Sequence, residues 1–173
     1  MKILAPFTID HPPTLFMLGC LDDVTRWQLT APDDYLRYIT YQWEVGDGFV
    51  NVEHDMEFEP RQVQALIECP HAWCWHPYVD VSEPQMPNLG LTKFSATFIS
   101  MTRGMWNEFS DASEVRRLRW QRQPTWNMLD WWINRYMASR FPPAHAHYPK
   151  VVNRRPEGVV QMQDNSMAGF LHG

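Results

Sequence analysis

The sequence predicts an α/β protein, a sheet at least partly parallel with helices packed on it, in a single compact domain. Three observations carry this. Short apolar runs suited to buried strands alternate with segments of helical period, the order that builds parallel sheets. A chain of 173 residues matches one domain. Its 45% hydrophobic content, with 14% aromatics, suffices for a core.

The elements follow in order. Residues 2–8 (KILAPFT) form a first buried strand stopped by turn residues. The HPPT stretch after it reads as a break, because proline cannot continue a regular element, and residues 14–30 show no clear period. Asp33 or Asp34 caps a helix whose Tyr35, Leu36, Ile39 and Trp43 share a face, with Gly46 where a helix ends. Residues 49–53 form the next strand. Pro60 fits the first turn of a second helix, with Val63, Leu66 and Ile67 inward and Pro70 closing it. Residues 72–78 read as a strand, and 79–89, rich in proline and polar groups, as a loop. Thr92 reads as the cap of a helix reaching about Thr102, with Phe94, Phe98 and Met101 inward. After a mixed segment, Thr125 caps a helix from Trp126 to about Arg140, ended by Pro142 and Pro143. The domain is taken as residues 1–152. Residues 153–173 form a polar tail, either mobile or wrapped on the domain.

Composition narrows the function. A net charge of −5 argues against a chain that traps nucleic acid by its overall field. Three cysteines suggest no secreted disulfide framework. The apolar run at the start is too short for a signal peptide or a membrane span, so a soluble cytoplasmic protein without a membrane partner is expected. Nine tryptophans fill a core in the main, but they also suit stacking on sugars or bases.

Several constellations can carry chemistry. Glu53, His54 and Asp55 end a strand that should be central, and ligands gather beyond the carboxyl ends of such strands. Two carboxylates at that spacing suit Mg²⁺ or Mn²⁺, with positions left for substrate phosphates; the plain alternative is a solvated acidic turn. Strand alternation separates His54 from both acids. His145 and His147 are spaced as ligands on an extended segment, or as two surface histidines; sharing an ion with Asp55 requires the two segments to meet. Asp130 falls inside the apolar arc of its helix, which is costly unless the carboxylate is paired or functional. Gly90, Thr92 and Lys93 stand at the start of the helix read from Thr92, whose free N–H groups could hold an anion, or form an ordinary capped start. Arg116, Arg117, Arg119 and Arg122 flank Trp120, a pattern able to follow a phosphate backbone and stack on a base, or a solvated helix face. Cys69, His71, Cys74 and His76 use zinc-ligand types. Placed on one strand they would face opposite ways, which favours buried thiols.

The segments KILAPFT, DDYLRYITYQWEVGDGFVNVEHDMEFEP, LIECPHAWCWHPY, GLTKFSATFI, WNMLDWW and HAHYP, in that order over residues 1–152, resemble the short GT-A-type glycosyltransferase-like proteins of bacteriophages and bacteria. The resemblance implies a Rossmann-like nucleotide-diphospho-sugar transferase fold. It makes EHD the counterpart of an Asp-x-Asp motif: Asp55 holds Mn²⁺ or Mg²⁺ on the donor diphosphate, and Glu53 fills the first acidic slot. It implies His147 or His145 as a further ligand, Asp130 as the base, and Pro6, Phe7 and Thr8 beside the nucleotide. Residues 90–95 would border donor sugar or acceptor. The expected partners are a nucleotide-sugar donor and an acceptor hydroxyl on modified DNA, a protein or a glycan. An oligomer would fit the small size. A noncatalytic nucleotide-sugar or nucleic-acid binding protein is the alternative.

Overall fold

The computed structural model describes residues 1–31, 34–79, 85–109, 129–138 and 140–153. The elements are β1 (Lys2–Phe7), α1 (Pro12–Leu18), β2 (Val24–Gln28), α2 (Asp34–Val45), β3 (Phe49–Val52), β4 (Met56–Glu57) and α3 (Pro60–Glu68). They continue with β5 (Trp73–Trp75), β6 (Leu91–Phe94), α4 (Ala96–Met101), α5 (Leu129–Ala138), β7 (His145–Ala146) and β8 (Val152–Asn153). Six strands form one sheet in the order β2-β1-β3-β6-β5-β7, and β4 pairs with β8 in a second, two-stranded sheet. In the large sheet β6 runs against both neighbours, while the pairs β1–β2, β1–β3 and β5–β7 are parallel. Five strands therefore share one direction, and the sheet is mixed α/β, covered by helices on both faces.

Alternation along each strand supplies the two faces. Leu4, Phe49, Trp73 and Phe94 pack under α2, α4 and α5, against Tyr38, Ile39, Trp43, Phe98, Leu129 and Ile133. Ile3, Val50, Cys74 and Leu91 face the other way, against Leu18 of α1 and Val63 and Leu66 of α3. Trp43 centres the first core: the rings of Phe49, Phe94, Phe98 and Trp106 lie 5.0–6.2 Å from its own. Its indole N–H donates to Thr102 Oγ1 at 2.9 Å, so this large apolar group is buried with no polar cost left over.

Local chemistry sets the helix ends. Asp34 Oδ2 accepts from the N–H groups of Thr30 and Ala31, and those bonds hold its carboxyl below the ordinary value. Gly46 follows α2 with φ +82°, the left-handed conformation glycine adopts without strain. Glu59 and Gln62 form a reciprocal capping box on α3, with Pro60 in its first turn.

Two readings are corrected. The HPPT stretch opens a helix: Pro12 occupies its first turn, where a missing N–H costs nothing, and Thr14 is tied down through its hydroxyl to Met56 O at 2.9 Å. The helix read from Thr92 begins later. Residues 91–94 are a strand held between β3 and β5; Ser95 is the cap, accepting from Phe98 N. Met101, read as inward, is 58% exposed.

Candidate functional site

From β1 the chain passes through α1 to β2 on one side, then through α2 to β3 on the other side of β1. The carboxyl ends of β1 and β3 therefore flank a switch point, where open α/β sheets form their crevice. Pro6, Phe7 and Thr8 close β1, and Glu53, His54 and Asp55 follow β3 directly. The sequence-predicted acidic turn and first-strand loop do come together here.

Residues 53–55 lie beyond the end of β3, and there Glu53 and His54 turn different ways. His54 leans toward α1, its Nε2 3.4 Å from Thr8 Oγ1. With Pro6, Phe7, His11, Thr14 and Arg26 it lines a shallow cleft over the end of β1. The Arg26 guanidinium lies 4.0 Å from the Phe7 ring centroid and pairs with Asp10. Burial pushes the His54 imidazole below its ordinary value.

Glu53 turns to the opposite face, where Tyr35 of α2 donates its hydroxyl to Oε1 at 2.5 Å. Next to it Tyr38 donates to Asn51 Oδ1 at 2.7 Å, and Asn51 donates to the Leu89 carbonyl. Burial raises the Glu53 carboxyl well above its usual range; the charges of Asp55 and Asp130 raise it further, and the Tyr35 bond opposes them. Asp130 enters from the first turn of α5. Burial lifts its carboxyl from 3.8 to about 7, against a bond from the Leu89 backbone. Its Oδ1 is buried with no hydrogen-bond partner. Glu53, Asp55 and Asp130 thus form one electrostatically linked group drawn from two distant segments.

Sequence reasoning missed three members of this corner. Tyr35 was visible only as a core residue. Tyr78 is half-buried, with its hydroxyl raised well above the usual value by burial and then by Glu53 and Asp130, and it is hydrogen-bonded to Asn153. Asn153 is carried in by β8, opposite Met56, and its Oδ1 is buried without a hydrogen bond. Nothing in the sequence of that segment marked it.

Other predicted residues lie elsewhere. Gly90 is buried: a Cβ there would overlap the Tyr78 hydroxyl and meet Met56 Sδ at 2.8 Å, so close packing explains the glycine. Thr92 and Lys93 are inside the sheet, 0% and 2% exposed; Thr92 donates to Cys74 O, and Lys93 Nζ to Cys69 O. Neither stands at a helix N-terminus, which corrects the anion site read from GLTK. His145 lies in β7 and His147 just after it, beside β5 at the far edge of the sheet, and the groups whose charge acts on His147 are His76, His145, Lys93 and His71. Burial, followed by those charges, brings the His147 imidazole down to about 4. A ring nitrogen of His147 instead lies with the thiols of Cys69 and Cys74, all within 4.8 Å of one another. Among the described residues this is the one set of three ligand types so close; the three carboxylates are more widely spread. Arg116, Arg117, Arg119, Trp120 and Arg122 lie outside the described residues.

Fold and corner together define an α/β protein with a cluster of half-buried acids at a switch point of its sheet. No protein-family model matches the chain, and no curated protein matches it. Among the described residues, no helix is long and apolar enough to cross a membrane.

Proposed function

We propose that the chain is a metal-dependent glycosyltransferase of GT-A type, moving a sugar from a nucleotide-diphosphate donor to an acceptor hydroxyl. The observation that carries this reading is Asp130: a carboxyl lifted to about 7, with one oxygen lacking a partner, on the same acidic corner as Glu53 and Asp55. A general base works best when its pKa lies near the working pH.

Asp55 with Glu53 would hold Mn²⁺ or Mg²⁺. The oxygen chemistry fits, since Mg²⁺ usually takes one or two carboxylates and completes its shell with water and substrate phosphates. Such an ion supplies neutralisation of the charge that gathers on a leaving diphosphate. The chain's own groups do the rest. Asp130 takes the proton of the acceptor hydroxyl as its oxygen bonds to the anomeric carbon; the bond from that carbon to the donor phosphate breaks, and its electron pair leaves with the diphosphate. Pro6, Phe7, Thr8 and His54 border the nucleotide in the cleft over β1. The arginine-rich segment around Trp120 is the proposed guide for an acceptor base in DNA. A protein or glycan hydroxyl is handled by the same chemistry.

The test is a thermal-shift screen of nucleotide sugars with and without Mn²⁺, followed by donor hydrolysis. Ligand binding to the native state raises the melting temperature by mass action. A Mn²⁺-dependent shift is expected for at least one nucleotide sugar, lost in Asp55→Ala and kept in Asp130→Asn, with turnover lost in both. A shift without turnover in the unmodified protein would favour the noncatalytic binding protein. No shift with any nucleotide diphosphate would end the reading.

A further inference from the structure

We infer that Cys69, Cys74 and His147 form a second metal site, for zinc, separate in place and in chemistry from the acidic corner. The site lies on the α3 face of the sheet. Cys69 is the C-cap of α3, Cys74 is the middle residue of β5, and His147 follows the edge strand β7, its N–H donating to Trp75 O at 2.9 Å. Two adjacent elements and one segment far along the chain thus deliver two thiols and an imidazole to one point, with their ligand atoms all within 4.8 Å of one another.

The geometry is near what zinc requires. Zn–S bonds of about 2.3 Å and Zn–N bonds of about 2.0 Å in a tetrahedron put ligand atoms about 3.5–3.8 Å apart. Side-chain rotations of roughly an ångström close the set. A second observation points to a ligand independently: His147 Nε2 is buried and makes no hydrogen bond. A buried imidazole nitrogen normally finds a partner, and a metal is the partner that two adjacent thiols would share with it. His76, by contrast, faces the carbonyls of Pro149 and Gln62 and is occupied. Lys93 donates to the Cys69 carbonyl and lies against Cys74; burial raises the Cys74 thiol to about 12, and the neighbouring ammonium opposes that rise. The fourth position falls to water or to His145, whose ring lies 4.8 Å from that of His147 and which shares its side of β7. Sulfur and imidazole donors select zinc over Mn²⁺ or Mg²⁺, the reverse of the preference of Asp55 and Glu53. Both cysteines are free, so no disulfide competes for the thiols.

The site would fasten a weak point of the fold. β7 has two residues and sits at the sheet edge, yet the chain beyond it must return to place β8 against β4. An ion bound through His147 ties that return segment to α3 and β5.

Cobalt(II) is the probe. Reduced, metal-stripped protein titrated with Co²⁺ should bind one ion per chain, with sulfur-to-cobalt charge-transfer absorption and the intense visible bands of a tetrahedral site. Zn²⁺ should displace it, and Mn²⁺ should not. Cys74→Ser should abolish the charge-transfer bands. Because that variant replaces a fully buried side chain, His147→Gln at a half-buried position is the second arm; it should weaken Co²⁺ binding at least roughly tenfold and alter the visible bands while the circular dichroism stays unchanged. Cys20→Ser, at an exposed thiol just beyond α1 and outside the set, should leave binding as it was. Absence of charge-transfer bands in the unmodified protein, or identical spectra and affinity in His147→Gln, would overturn the site. Neither result bears on nucleotide-sugar binding with Mn²⁺, so this inference and the proposed function fail separately.

Discussion

Replacing Asp130 by Asn should make the protein more stable at neutral pH while removing the proposed transferase activity. The carboxyl is raised from 3.8 to about 7 because burial disfavours its charge. The native state therefore keeps a proton that the unfolded chain has already released, and stability falls as pH rises from about 4 to about 7, then levels off. A shift of about three units at 1.4 kcal/mol each is on the order of 4 kcal/mol of strain in the ionised protein. Of this, about 3 kcal/mol should appear between about pH 5 and about pH 8. The near-isosteric amide cannot ionise and should lose that part of the slope. Glu53, also raised, gives its own pH dependence, so the quantity to read is the difference between the two proteins. Urea unfolding at several pH values measures it. The variant's advantage should grow with pH through this window, the usual opposition between stability and a functional acid. Equal slopes for the two proteins would show that Asp130 is not held protonated, and the argument for it as a base near neutrality would fall with it.

Tyr35→Phe removes the hydrogen bond to Glu53 Oε1 and should cost about 1–3 kcal/mol in chemical unfolding. Because that bond favours the carboxylate, the variant should also bind Mn²⁺ more weakly near pH 7; unchanged binding would separate Glu53 from the metal. Gly90→Ala should destabilise by about 1–3 kcal/mol through overlap with the Tyr78 hydroxyl, and adding Tyr78→Phe should restore part of the loss in a thermal melt. Failure of that rescue would mean that the clash lies with Met56 or the backbone.

What could be read from the sequence depended on whether one element carried the signal by itself. The period of Tyr35, Ile39 and Trp43 marked α2, and the inward placement of Asp130 marked the acid, because both follow from a single helix. β2 escaped because it is an edge strand, largely exposed, with no alternation to see. The helix read from Thr92 arose because Phe94 and Phe98 stand four apart; they meet in one core across a strand-to-helix junction, their rings 5.4 Å apart. The sulfur site was discounted by treating Cys69 and Cys74 as neighbours on one strand. Cys69 ends a helix instead, so alternation does not relate the two, and the chain turn at Pro70 brings both thiols to the same face. His147 and Asn153 arrive from far along the sequence, and only tertiary pairing places them.

The two candidate centres are joined by one short stretch of chain. Residues 147–153 run from the imidazole beside Cys69 and Cys74, past the Val151 contact with Tyr78, to the strand pairing of Asn153 with Met56. Met56 immediately follows Asp55, and Tyr78 is hydrogen-bonded to Asn153 while its hydroxyl feels the charge of Glu53. The acidic corner therefore has a wall that neither β1 nor β3 supplies. A wall of this kind keeps water from the carboxyls, and exclusion of water is what raises Glu53 and Asp130.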